Sequence, residues 1–485
     1  MSAEPTAKQS DSTEAQPVKV MDKDELARLY EENDFWEVNT GGSTLHAKRM
    51  GGRFRNFKYL TSSVWLVLFI GPWLQWDDRQ AMLFDIPARQ FHIFGMTFLP
   101  QDIWMFTFVM GFFAVLLAVS TAVAGRVFCG FFCFQTVWTD VYTWIEEKLE
   151  GSHIQRRKLE KAPWNATKIR KKVIKHVLWL AIAVLTGYSF AAWFTDARDL
   201  LSRMLDFTAH PISYGIVGAF TLGTYVLAGF MREQVCFWLC PYARIQGVMM
   251  DDNSIVPSYD YKRGEPRGKL KKNSAGNDKG DCIDCGQCVA VCPTGVDIRK
   301  GQQEGCITCA LCIDACDQIM DKIDKPRGLI RYASENEIAR DQKTKLIRPR
   351  VLMYATTILL FVTYLAYGLV TRSNLELNVV HDRTPMFVMQ SNGDIQNKYV
   401  IKIINKTTDI LPIEVKLKGL EGAEITLDPA VIEAKPSVVT PVRVFVRAPR
   451  SAFKEQLQDI TFEVYPKGKP EQAASHDSIF AGPRR

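Results

Sequence analysis

The sequence predicts a multidomain membrane protein: an all-α transmembrane bundle of five helices, a cysteine-rich soluble domain inserted into it, and a C-terminal all-β sandwich. Three observations carry this expectation. Five apolar segments each approach the roughly 20 residues a helix needs to cross a hydrocarbon core. Eight of the twelve cysteines form two four-cysteine runs between the fourth and fifth segments. Beyond the fifth segment, apolar and polar residues alternate with period two.

Residues 1–57 read as a cytoplasmic N-terminal tail, largely disordered. Up to about residue 35 the tail is rich in Ser, Thr, Pro, Gln and acidic residues and shows no core pattern, apart from a short helical stretch at Lys23–Glu32. It holds no apolar stretch that would serve as a secretory signal. Residues 58–231 supply four helices in two hairpins: Tyr59–Trp76, Trp104–Ala124, Val173–Phe194 and His210–Met231. The first is the shortest and contains Gly71 and Pro72. Residues 232–349 form the insert, 350–371 the fifth helix (apolar over Val351–Val370) and 372–485 the sandwich.

Basic flanks orient the chain. Lys48, Arg49, Arg53, Arg55 and Lys58 precede the first helix, and a basic run from Arg156 to Lys175 joins the second to the third. The loop carrying Asp77, Asp78, Arg79, Asp85 and Arg89 is far less basic. The expected topology is therefore multi-pass, with the N-terminus and the insert cytoplasmic and the C-terminal domain on the opposite, periplasmic side. This clustering also accounts for the net charge of +7, so no nucleic-acid partner is called for.

The insert carries the chemistry most plainly. Cys282, Cys285, Cys288 and Cys292 have the spacing C-x-x-C-x-x-C-x-x-x-C followed by Pro293, and Cys306, Cys309, Cys312 and Cys316 repeat it with Asp317 in the proline position. A cubane cluster needs four thiolates converging from several sides, so a tight loop supplies three and a distant segment the fourth. The reading is a ferredoxin-like 2[4Fe-4S] domain with crossed ligands. Cys282, Cys285, Cys288 and Cys316 hold one cluster; Cys306, Cys309, Cys312 and Cys292 hold the other. Zinc sites use four ligands in paired C-x-x-C elements with a longer gap, and disulfides are out of place on a cytoplasmic domain.

The remaining cysteines form two C-x-x-x-C pairs at helix ends. The second helix runs into Arg126, Cys129 and Cys133, and the fourth into Arg232, Cys236 and Cys240, so the two hairpins read as copies related by an axis along the membrane normal. Cysteines four apart on a helix share one face, and soft thiolates suit Cu(I). Cys129, Cys133, Cys236 and Cys240 are thus the candidate copper and redox site, the alternative being small residues packed between helices. His92, His176 and His210 read as interfacial polar residues rather than ligands. Phe128, Phe131, Phe132, Phe134, Trp138, Phe237 and Trp238 read as a membrane-interface belt.

In the last part, Ile413, Val415 and Leu417, then Val442, Val444 and Val446, then Ile460, Phe462 and Val464 alternate with polar or outward residues. About seven such strands suggest an immunoglobulin-like sandwich without an intersheet disulfide, read as a periplasmic docking module.

These features together resemble the FixG/CcoG-like accessory proteins of cbb3-type cytochrome c oxidase. The matching elements are Gly125–Gln135, Val235–Arg244, both four-cysteine runs, and the sandwich after the last helix. The resemblance implies an oxidoreductase acting on metal ions, a cupric reductase that makes Cu(I) for oxidase assembly. It implies an address in the bacterial inner membrane, two [4Fe-4S] clusters, copper as substrate or bound ion, and an unidentified donor, either cytoplasmic or a membrane quinol. Partners would be oxidase assembly factors or a copper transporter, and a homodimer is compatible with it. Two other readings stand beside this one: a membrane ferredoxin conduit feeding another enzyme, and a non-catalytic copper chaperone.

Overall fold

The computed structural model describes residues 46–76, 79–268, 280–407, 409–436, 438–452 and 455–483. The expected helix at Lys23–Glu32 lies outside the described residues, with most of the N-terminal tail. The chain divides into two compact units. The first comprises the described residues of Met1–Ser63, Leu117–Lys175 and Leu227–Met353; the second comprises those of Val64–Leu116, His176–Val226 and Tyr354–Arg485.

Among the described residues four helices are long and apolar enough to cross a membrane: Pro100–Ala124, Ala166–Ala191, Pro211–Met231 and Pro349–Val370. Phe106, Met110 and Phe113 on the first of these are about half exposed, as lipid-facing side chains would be. The expected fifth span, Tyr59–Trp76, is not one continuous helix, so the count of five is not confirmed among the described residues. Helix Arg53–Ser62 gives way to a 3-10 turn at Ser63–Trp65, a short helix at Leu66–Ile70 and a second 3-10 turn at Gly71–Trp73. Pro72 has no N–H to give the Leu68 carbonyl, and the indole of Trp193 donates to it instead, at 3.1 Å. Gly71 admits that ring: a Cβ there would stand 2.7 Å from it.

The second unit holds the sandwich. One sheet runs Glu424–Asp428, Val439–Ala448, Ile395–Asn405, Leu375–His381, with Val388–Met389 also paired to the Ile395–Asn405 strand; the other runs Ile432–Ala434, Leu411–Lys418, Leu457–Pro466, Ala474–Ala481. Every pairing is antiparallel. Alternation sets the core: Val442, Val444, Val446, Ile460, Phe462 and Val464 are all fully or nearly fully buried, packed with Tyr399, Ile401 and Ile403. Val415 and Leu417 are only partly covered. The segment expected as a plain loop before the helix at Pro100 is a three-stranded antiparallel sheet, Met82–Asp85, Gln90–Ile93 and Met96–Phe98.

Asp102, at the head of the Pro100–Ala124 helix, is 7% exposed and takes Lys406 at 3.0 Å and Arg372 at 3.1 Å. Lys406 belongs to the sandwich, so this carboxylate links helix and sheets within the unit. Removing one partner of a buried pair strands the other charge, at about 3 kcal/mol. Asp102→Asn is therefore expected to release the sandwich to protease at clearly lower protease concentration than the parent requires.

Candidate metal centres

In both cysteine runs the backbone turns left-handed on either side of the second cysteine: Asp284 and Gly286 around Cys285, Thr308 and Ala310 around Cys309. That conformation is natural only for Gly286; at Asp284, Thr308 and Ala310 it is held against the usual steric preference. The two loops thus share one backbone path, and each leads into a helix, Gln287–Ala290 or Leu311–Lys322.

Two small cavities lie against these loops. One is lined by Cys282, Cys285, Cys288 and Cys316, the other by Cys292, Cys306, Cys309 and Cys312. The helix Leu311–Lys322 contributes Cys312 to one and Cys316 to the other. Most other lining side chains are apolar, including Ile319, Met320 and Leu329 in the first and Val296, Ile298 and Leu311 in the second. Burial pushes the thiols of Cys288, Cys306 and Cys316 up to about 12, and those of Cys309 and Cys312 upward too. A thiolate in such a wall needs a cation against it, which iron supplies. The residues present fit a cubane in each cavity. A cubane places each thiolate on its own iron, so its ligands surround a volume rather than a point. Among the described residues no three His, Cys, Asp or Glu side chains form a group that could grip one ion.

The hairpin cysteines follow a second repeated pattern, which differs from the expected shared helical face. Cys129 lies in the short helix Val127–Phe131, while Cys133 is extended and precedes the helix Phe134–Glu150. Likewise Cys236 lies in the π-turn Val235–Leu239, and Cys240 is extended before the helix Pro241–Met249. Pro241 suits that first helical position because its missing N–H would have no partner there. The chain bends inside each pair, and each second thiol ends up at the positive end of a helix. Cys133, Cys236 and Cys240 lie within electrostatic reach of Cys129, without closing into a group of three that could grip one ion. Burial pushes Cys129 and Cys236 up to about 12, and Arg126 opposes the rise at both. Cys129 donates to the Gln246 side chain at 3.0 Å.

Arg126 and Gly130 join the hairpin thiols to the second cavity. Arg126 is 4% exposed, donates to the Glu304 carbonyl, and has no carboxylate partner among the described residues. It also acts on Cys306. Gly130 lies directly on the neighbouring loop: a Cβ there would meet the Ile307 carbonyl at 2.6 Å and the Cys309 Cα at 2.9 Å. Cys129 and Cys309 consequently share one hydrophobic core with Ile307, Leu311 and Ala315. Gly130→Ala is expected to cost about 1–3 kcal/mol in thermal or denaturant unfolding, because backbone must move. Gly247→Ala, in an exposed helix with open space around it, should instead stabilise by about 0.5–1 kcal/mol.

The sequence reading missed the residue that ties the two hairpin ends together. Glu146 is 2% exposed and receives Arg232 at 2.7 Å, Lys175 at 3.2 Å and Arg156 at 3.3 Å. Burial pushes its carboxyl up, but Arg232, Lys175 and Arg156 outweigh that and hold it at about 2. Gln135 adds to the joint, donating to the Leu227 and Arg232 carbonyls at 2.8 and 3.0 Å. Arg232 itself has a positive φ of 46°.

The aromatic belt is only partly one. Phe131 and Trp138 are buried, Phe131 edge-on to Phe57 and Trp138 stacked on Phe134, whereas Phe132 and Trp238 are exposed. The three histidines have protein partners: His92 meets Thr97 and Arg79, His176 meets Tyr225, and His210 accepts from the Ile212 amide.

Comparison with known proteins gives three domain matches, of which the one over residues 106–152 holds Cys129 and Cys133. A 4Fe-4S dicluster domain matches residues 231–335, a 4Fe-4S binding domain matches residues 106–152, and the IG-like fold at the C-terminal of FixG matches residues 365–483. The chain is 40% identical to nitrogen fixation protein FixG of Rhizobium meliloti, covering 84% of this chain and 87% of that one. It is 36% identical to protein RdxA of Cereibacter sphaeroides (90% of this chain, 97% of the relative) and 37% identical to protein RdxB of the same organism (90% and 95%).

Proposed function

Since the chain belongs to the FixG family and is a membrane [4Fe-4S] electron-transfer protein, we propose that it is a cupric reductase of the bacterial inner membrane. In this reading Cys282, Cys285, Cys288 and Cys316 hold one cluster, and Cys292, Cys306, Cys309 and Cys312 the other. Bound there, the clusters supply one-electron storage and transfer. The apolar cavity walls exclude water, and the buried charge of Arg126 offsets the negative charge of the sulfur ligands. Cys129, Cys133, Cys236 and Cys240 receive Cu(II) as substrate. Soft sulfur favours the reduced ion. Each Cu(II) takes one electron and departs as Cu(I), so one stored electron is consumed per ion.

The observation that carries this reading is the core shared by Cys129 and Cys309, made by the close approach at Gly130. It supports the reading because Cys129 packs in one core with Cys309. The basic flanks favour a cytoplasmic address for the clusters, with the sandwich in the periplasm. The Cu(I) produced would enter copper supply for cbb3-type oxidase assembly, through assembly factors or a copper transporter, with electrons from a cytoplasmic donor or a quinol.

The test compares the parent with a variant in which all four hairpin cysteines are serine, each dithionite-reduced and mixed anaerobically with Cu(II) and a Cu(I)-specific chelator. The parent should form the Cu(I) complex, and the variant should do so roughly a hundredfold more slowly with its cluster absorbance intact. Equal rates would remove these thiols as the copper site. Stoichiometric Cu(I) binding without turnover would mark a chaperone instead.

A further inference from the structure

The two cluster sites differ in exposure. Cys285, in the first, is exposed, whereas each of the other seven cysteines of the two runs is buried or partly so. The second site lies further in, where Cys309 shares its core with Cys129 of the hairpin. One helix joins the outer site to the inner: Cys316 and Cys312 stand four residues apart on Leu311–Lys322, a rise of about 6 Å.

The two sites also differ in charge. Arg299 lines the outer cavity but is neutralised, with its guanidinium on Asp297 at 2.7 Å and on Asp284 as well. Arg126 is buried at the inner site, where it donates to the Glu304 carbonyl two residues before Cys306. It has no carboxylate partner among the described residues, and its Nε has no hydrogen-bond partner there. Lys58 and Arg55 also act on Cys309, but both are shared with Asp140. A cluster gains negative charge on reduction, so contact with water and a nearby cation each favour the reduced form. Burial alone would make the inner site the harder to reduce. An unneutralised guanidinium held out of water opposes this at low dielectric, where a unit charge acts most strongly.

We propose that Arg126 sets the order of the two sites, holding the reduction potential of the inner cluster above that of the outer one, so that electrons enter at the Cys285 edge and collect beside Cys129. This rests on the two-cluster reading and not on copper as the substrate.

Anaerobically purified full-length protein is titrated potentiometrically under electron paramagnetic resonance, with no copper present. Two reduction waves are expected, and Cys306→Ala, which removes the inner cluster, should lose the higher one. Arg126→Gln should lower that wave alone, by about tenfold or more in its reduction equilibrium, which is about 59 mV for one electron, with about eight irons retained. Arg126→Lys should keep most of the parent potential. A soluble dysprosium complex should quicken relaxation of the lower-potential signal more than that of the higher. Coincident waves in the parent, or loss of the lower wave in Cys306→Ala, overturn the proposal without recourse to Arg126. So does an Arg126→Gln variant whose waves both stay in place or move alike, or a dysprosium effect that falls chiefly on the higher-potential cluster.

Discussion

Cys292→Ala is expected to cost the protein half of its iron, leaving about four atoms per chain in place of about eight. Although Cys292 belongs to the first run in sequence, it lines the cavity of Cys306, Cys309 and Cys312. Crossed ligation therefore makes a specific pattern of double variants. Adding Cys306→Ala to Cys292→Ala should remove little more iron, because both act on one cluster. Adding Cys282→Ala should remove the rest. Iron and acid-labile sulfide analysis on anaerobically purified protein reads this directly. If instead the Cys292/Cys282 pair behaves as one unit, each run holds its own cluster and the crossing is wrong.

The second large effect falls on Glu146. Glu146→Gln leaves Arg156, Lys175 and Arg232 without their shared carboxylate, and breaking a buried ion pair this way costs about 3–5 kcal/mol. The pH dependence has a definite sign. A carboxyl held at about 2 in the fold, against 4.5 ordinarily, contributes stability that is fully present above pH 4.5 and is lost as pH falls through about 2. That contribution is roughly 3 kcal/mol. Circular-dichroism melts should show parent and variant well separated at pH 7 and converging towards pH 2. A constant separation across that range would mean that the glutamine destabilises through packing rather than charge. The variant should also loosen the Cys236 segment, because Arg232 stands four residues before it and is anchored on Glu146.

What the sequence made legible was local. The cluster ligands follow a spacing that a short loop fixes by itself, and the sandwich strands follow an alternation that the pleat fixes, so Val442–Val446 and Ile460–Val464 read correctly. The first span read as one continuous helix because hydropathy counts Gly71 and Pro72 without regard to the missing N–H, and the compensating Trp193 lies 121 residues later in the chain. The C-x-x-x-C pairs misled because four-residue spacing implies a helix only if the helix continues, and both chains turn extended at the second cysteine. Glu146 gave no signal at all. A glutamate in an amphipathic helix looks like a solvated face until distant Arg156, Lys175 and Arg232 fold onto it. Gly130 was visible only as a glycine inside G-F-F-C, and its role needs the Ile307–Cys309 backbone beside it.

The central claim is that electrons stored on the iron–sulfur centres pass to copper. Stopped-flow absorbance of the fully reduced protein mixed with Cu(II) under strict anaerobiosis tests it most directly. The account predicts rapid recovery of the oxidised cluster spectrum, with one Cu(I) formed per electron lost. Clusters that stay reduced in the presence of Cu(II) for as long as they do without it would contradict the claim.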